Sequence, residues 1–245
     1  MGDSALRNGR RRVTMKSKWF RSEPALLDDA VITFMAEYLT YRLGRVQRIV
    51  DLWADSGHML APLSMRLEAE TAVGLCGSQL VQQSLTMRRS RHEVVDYKVA
   101  NPAGPQFDLP SGIDLVVGMP AWHWAPELID VTDPIGAVVT LTEDPANVAM
   151  IQACRCLTAE GLGAFVVGPG LLMRPGPGTL MPNLERLGLH IDGIVELPHG
   201  AIKPDHGAIQ ALLILSQLKR VPLIGSMTLG ENSFAEVFGT ESTTS

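Results

Sequence analysis

A chain of 245 residues is long enough to bury one large α/β core or two small ones, and a hydrophobic share of 46% beside 19% charged residues excludes a disordered chain. A net charge of -5 excludes a global attraction to nucleic acid. No apolar run approaches a membrane span and none follows the basic start as a secretory signal would, so a cytoplasmic protein is expected.

The chain opens with a basic arm, residues 1–22, in which Arg7, Arg10, Arg11, Arg12, Lys16, Lys18 and Arg21 stand against one acid, Asp3. It reads either as a solvated terminus or as a segment that tracks nucleic-acid phosphates through Arg10, Arg11, Arg12, Lys16 and Lys18. Residues 24–43 predict an amphipathic helix, with Leu27, Val31, Phe34 or Met35, and Tyr38 at helical spacing and Gly44 as its stop. Val46–Trp53 predicts a strand running into the turn Ala54-Asp55-Ser56-Gly57, then a helix from His58 to Glu68. Thr71–Cys76 predicts a second strand. Gly77-Ser78 opens a helix with Leu80, Val81 and Leu85 on one side, and Glu93–Val99 gives a third strand.

After a Pro- and Gly-rich loop at 101–110 comes the stretch 113–122, Ile-Asp-Leu-Val-Val-Gly-Met-Pro-Ala-Trp. Its apolar run reads as a buried strand broken by Gly118-Met119-Pro120, the shape in which many α/β enzymes present a reactive loop beyond a strand's carboxyl end. Ala121–Pro134 reads as irregular. Asp144-Pro145 starts a helix running to about Glu160, ended by Gly161 and Gly163, and the next strand is 163–167. The Gly/Pro stretch 168–178 is a loop, with a helix at 179–187. Strands at 191–197 and 209–218 lack a helix between them and predict an antiparallel edge pair, separated by the polar loop His199–Gly207. From Val221 the composition turns polar, so 23–220 reads as one domain and 221–245 as a tail.

Cys76, Cys154 and Cys156 are an odd set without framework spacing, which predicts reduced thiols, and no His flanks them at metal-ligand spacing, so no metal site is expected. His58 at a helix start reads as a packing residue before a base. His199, Lys203, Asp205 and His206 read as a solvated hairpin tip, and Trp122, His123 and Trp124 as either a base-stacking platform or a packed lid.

Several of these stretches resemble, in order, the methyltransferase subunits of type I restriction-modification systems and related adenine-specific DNA methyltransferases. The resemblance is fullest over residues 153–218, in Ala153–Leu172, in Ile194–Gly200 with its Leu-Pro-x-Gly turn, and in Ala211–Ser216. It implies an S-adenosylmethionine-dependent, Rossmann-like α/β fold with a seven-stranded, mostly parallel sheet. The family's cofactor loop, Asp-Pro-Ala-Cys-Gly-Ser-Gly, falls on Asp51-Leu52-Trp53-Ala54-Asp55-Ser56-Gly57, where Asp51, Ser56 and Gly57 match. Asp55 replaces a loop glycine and sets a carboxylate where the backbone should approach the cofactor. Cys76 stands where the family's second strand ends in a ribose-binding acid.

The family's catalytic loop, Asn-Pro-Pro-aromatic, falls on Met119-Pro120-Ala121-Trp122. Its chemistry needs a side-chain oxygen to accept from adenine's exocyclic amine, and Met119 offers only a thioether. Losing such a positioning hydrogen bond costs about two to three orders of magnitude in rate. With these departures the resemblance implies a non-catalytic subunit that binds a partner protein, or a second copy, in a DNA-modification or defence context. The alternatives are an active methyltransferase with another acceptor, and a DNA-binding accessory module using the arm.

Overall fold

The side chain of Asp28 accepts from the Ala30 amide and starts helix α1 (Asp29–Leu43), directly after the two-residue strand β1 (Leu26–Leu27). Gly44, at φ +66°, ends it. There follow β2 (Arg48–Asp51), α2 (Leu60–Arg66), β3 (Thr71–Cys76), α3 (Gln79–Arg88), β4 (Val95–Val99) and β5 (Ile113–Gly118). The second half comprises β6 (Glu127–Thr132), β7 (Val138–Glu143), α4 (Pro145–Cys154), β8 (Leu157–Val167), α5 (Pro169–Leu172), α6 (Leu180–Asn183), β9 (His190–Leu197), β10 (Ile202–Lys203), β11 (Gln210–Ser216), β12 (Leu223–Ser226) and α7 (Phe234–Phe238). This computed structural model describes residues 25–89, 94–104, 108–120, 126–174, 176–203, 209–228 and 233–239. The arm residues Arg10, Arg11, Arg12, Lys16 and Lys18, the Trp122–Trp124 cluster, and Asp205 and His206 lie outside them.

One eight-stranded sheet, in the order β12-β9-β11-β8-β5-β2-β3-β4, organises the chain. Seven strands run one way and β11 alone runs against them, antiparallel to both β8 and β9. Its mostly parallel strands are buried on both faces, which requires cover on each side. On the first face α1, α2 and α3 contribute Val31, Phe34, Tyr38, Leu60, Leu63 and Leu85 to a core with Ile49, Ala72, Leu115 and Leu212. On the second, Val148, Met150, Ile151 and Leu180 from α4 and α6 pack with Val116, Phe165 and Leu213.

Several expectations from the sequence are corrected here. Among the described residues the sheet has eight strands, because Leu223–Ser226 in the expected tail pairs in parallel with β9, so the antiparallel pair lies one strand in from the edge. The same tail carries α7, whose Phe234 and Phe238 pack on Phe34 and Tyr38 of α1. The stretch expected as irregular contributes β6 to a separate antiparallel hairpin with β7. Strand β8 begins at Leu157, not at Gly163, so Gly161 and Gly163 are strand residues. A Cβ on Gly161 would stand 3.0 Å from the Asp114 carbonyl oxygen, and one on Gly163 would strike Cys154 Sγ, so both mark close approach inside the sheet, not a helix stop. On α3 only Leu85 is buried, while Leu80 is 79% exposed.

Candidate functional site

The carboxyl ends of β2, β3 and β5 meet at one edge of the sheet, and the turn after β2 is stitched to both neighbours. The Leu52 amide donates to the Val117 carbonyl at 3.0 Å and the Ala54 amide to the Leu75 carbonyl at 2.9 Å. Gly57 closes the turn at φ +65°, and a Cβ there would stand 2.7 Å from Leu85 Cδ2 and 3.1 Å from the Tyr97 hydroxyl. Both the left-handed backbone and the crowding require glycine. Ser56 sits inside this turn, its hydroxyl accepting from the His58 amide at 3.3 Å.

Within the turn Asp51 is buried, and its Oδ1 accepts from the Trp53 amide at 3.0 Å. Burial, with the nearby Asp55 charge adding to it, pushes the Asp51 carboxyl up to about 7. Asp55 is exposed and reaches across to β3, where its Oδ1 accepts from the Gly77 amide at 2.8 Å. Both its carboxylate oxygens lie 3.7 Å from the point where a Gly77 Cβ would stand. Cys76, the last residue of β3, turns its side chain into the first-face core, where burial and the two aspartates push the thiol up to about 12. It presents no acid at the strand end. Asp51, Asp55, Ser56, Gly57 and Cys76 lie together at this edge, bringing two carboxyl groups, and no cation pairs with Asp51 or Asp55 among the described residues.

At the end of β5, Trp53 lies over Gly118, with its Cε3 2.6 Å from the position a Cβ would take. The family loop has Ala at the Trp53 position, so this ring was visible in the sequence, though its seat on Gly118 was not. Met119 is half-buried against the first-face core and Pro120 is buried, so the matched catalytic loop leaves β5 beside the turn after β2. Trp122 lies outside the described residues. Asp114 does not serve this loop. Its carboxylate accepts from the Gln47 and Arg48 amides at 2.8 and 2.9 Å, clamping the amino ends of β2 and β5 at the far edge of the sheet.

His58 Nε2 lies 2.7 Å from the Leu27 carbonyl oxygen, tying the turn to β1, which is the packing role expected for it. The loop after β9 is less solvated than expected, because Ala201 and Ile202 are buried and Ile202–Lys203 pairs with β1. Among the described residues no cluster of three or more His, Cys, Asp or Glu side chains is placed to hold a metal ion. Nor, among them, is any helix long and apolar enough to cross a membrane.

No protein-family model matches the sequence, and no curated protein matches it. The fold is nonetheless shared with solved structures. A type I restriction-modification system methyltransferase subunit from Streptococcus thermophilus superposes with a TM-score of 0.64 over 90% of this chain and 52% of its own, at 13% identity. The M protein of the type I restriction enzyme EcoKI does so with a TM-score of 0.57 over 84% of this chain and 50% of its own, at 14% identity. An S-adenosylmethionine-dependent methyltransferase from Clostridium acetobutylicum reaches 0.51 over 76% of this chain and 89% of its own, at 11% identity. The chain has the α/β fold of S-adenosylmethionine-dependent methyltransferases, and it spans about half the length of the restriction-modification subunits it matches.

Proposed function

We propose that this chain is a methyltransferase-fold subunit that has given up cofactor chemistry and works by binding a partner protein in a DNA-modification or defence context. The observation that carries the reading is Asp55, whose carboxylate bridges from the turn after β2 to the Gly77 amide at the end of β3. The residues at this edge do not fit S-adenosylmethionine. Its carboxylate would approach a turn already holding the exposed carboxylate of Asp55, which repels it. Its ribose would find the buried thiol of Cys76 in place of an acid. Trp53 covers Gly118, the residue before Met119. Met119 in turn supplies no oxygen acceptor for an adenine amine.

Support for the partner comes from the neighbours, two of which are subunits of type I restriction enzymes. One observation favours the second reading, an active methyltransferase acting on another substrate: Gly57 keeps the left-handed turn that a cofactor loop uses. Calorimetric titration with S-adenosylmethionine separates the two. No heat is expected from the unaltered chain up to millimolar cofactor, and the double substitution Trp53→Ala with Asp55→Gly is expected to bring in measurable binding. Micromolar affinity in the unaltered chain would overturn the proposal.

A further inference from the structure

The turn after β2 is held by two kinds of bond. Leu52 and Ala54 are fixed by their backbone amides, which donate to the Val117 carbonyl on β5 and the Leu75 carbonyl on β3. Asp55 reaches β3 differently, through its exposed side chain, whose Oδ1 accepts from the Gly77 amide at 2.8 Å. Beyond it Ser56 is half-buried and Gly57 takes φ +65°. The outer half of the turn therefore meets β3 through one side-chain bond next to a left-handed hinge.

Inside the turn lies Asp51, 2% exposed, with the Trp53 amide on its Oδ1. The ionisable groups around it are Asp55, the Cys76 thiol at the end of β3, and the Tyr97 phenol on β4, whose oxygen stands 3.1 Å from where a Gly57 Cβ would be. His58, on the same segment, turns to the Leu27 carbonyl and to Asp29 on α1. The buried side chains of α2 and α3 are Leu60, Leu63, Ser64 and Leu85, and the adjoining part of β5 is Leu115–Val117, so none of these elements brings a charge. Among the described residues no cation pairs with Asp51 or Asp55. A carboxyl so buried beside a second carboxylate loses its proton near neutrality, at about 7 here against an ordinary 3.8. The charge it gains then faces Asp55 with no counter-charge.

We infer that this turn is a pH-sensitive latch, in which ionisation of Asp51 drives the Asp55 carboxylate off the Gly77 amide while Leu52–Ala54 stays in place. Below the transition Asp55 closes the end of β3. Above it the Gly77 N–H is uncovered, next to Ser78, which caps α3. The repulsion acts on the bond least able to resist it. Asp55 is exposed and regains its hydration on release, whereas the Leu52 and Ala54 amides would be left without their carbonyls. Release also takes a negative charge away from Asp51 and makes it easier to ionise, so rising pH favours the released form. The inference gives the site described above a regulation, and it rests on the part of the proposed function that makes Asp55 the closing group.

The test is an NMR titration of the full-length chain from about pH 5 to about pH 9, following the Gly77 amide, the Trp53 indole and the Asp51 carboxyl carbon. The Gly77 amide is expected to move in one step with a midpoint of about 7. Its protection from hydrogen exchange is expected to fall about tenfold across that step, while the Trp53 indole stays still. Asp51→Asn should hold the Gly77 amide flat over the whole range. Asp55→Asn keeps an oxygen for the Gly77 amide and loses the charge, so it should hold that amide flat and lower the Asp51 midpoint. A Gly77 step that survives in Asp51→Asn would belong to another group, His58 first among them, and would overturn the inference. So would an Asp51 titration that leaves Gly77 unmoved, or a Trp53 indole that moves with Gly77, since the whole turn would then be loosening. Tight S-adenosylmethionine binding beside an intact Gly77 step would sink the loss of cofactor chemistry and leave the latch standing. A silent Gly77 amide in a chain that binds no cofactor would do the reverse.

Discussion

Asp51 and Asp192 are both buried, and the fold treats them in opposite ways. Asp192, on β9, accepts from the Tyr38 hydroxyl at 2.9 Å and pairs with Arg42 Nε at 3.0 Å and Arg220 at 3.2 Å. It fastens α1 and the segment after β11 to the sheet. Burial and the Asp192 charge hold the Tyr38 phenol well above its usual range, so the hydroxyl stays a donor. Asp51 has the Trp53 amide and the repulsion of Asp55 instead of a cation. A buried acid that is fully paired reads as architecture. A buried acid left short of counter-charge, at the carboxyl ends of parallel strands, is a destabilising group that packing alone does not explain.

The sharpest way to break that contrast is to remove both acids in turn. Asp192→Ala strands two arginines whose side chains are 15% and 18% exposed, and should cost about 3–5 kcal/mol in urea denaturation. A loss under 1 kcal/mol would deny Asp192 its structural role. Asp51→Asn should act with the opposite sign. The folded-state carboxyl is raised to about 7 from an ordinary 3.8, so its stability contribution is present below about 4 and lost as pH rises through 7. The amide keeps the Trp53 contact without the ionisation, so Asp51→Asn should stabilise by about 2 kcal/mol at pH 8 and change little at pH 4. Equal effects at both pH values would mean that Asp51 is compensated after all. A smaller effect is expected from Phe234→Ala, which removes the ring tilted against Tyr41 at 4.7 Å and edge-on to Tyr38. About 1–2 kcal/mol should be lost, less than a fully buried Phe gives up, because this one is half-buried. Combined with Asp192→Ala the losses should fall short of additive, since both act through Tyr38.

Near-continuous apolar runs placed each of the seven strands expected from the sequence in the sheet, although β8 begins earlier than expected. Their signal is burial on both faces, which composition reports directly. What failed was local signal set against tertiary context. Gly161 and Gly163 carry the letters of a helix stop, and only the packing of Cys154 and the Asp114 carbonyl against them makes them strand residues. Leu223–Ser226 is four residues long with a glycine inside, too short to register by periodicity, and it is held by pairing with β9. Phe234 and Phe238 looked solitary in a polar tail because their partners lie nearly 200 positions earlier, on α1. At the candidate site the resemblance singled out the turn after β2, the end of β3 and Met119, which the fold sets at the carboxyl ends of neighbouring strands. The clamp made by Asp114 was not legible, because a position inside a strand says nothing about which end of that strand an acid serves.

Strand β4 has a consequence for solubility. Its Lys98 and Asp96 are exposed charges, and among the described residues it closes one edge of the sheet, its Val95 and Tyr97 carbonyls accepting from the Arg89 and Gln82 side chains. Charged side chains on such an edge oppose the edge-to-edge pairing through which sheets aggregate. The two charges therefore work against this edge pairing with its own kind, and a charge of either sign serves that duty.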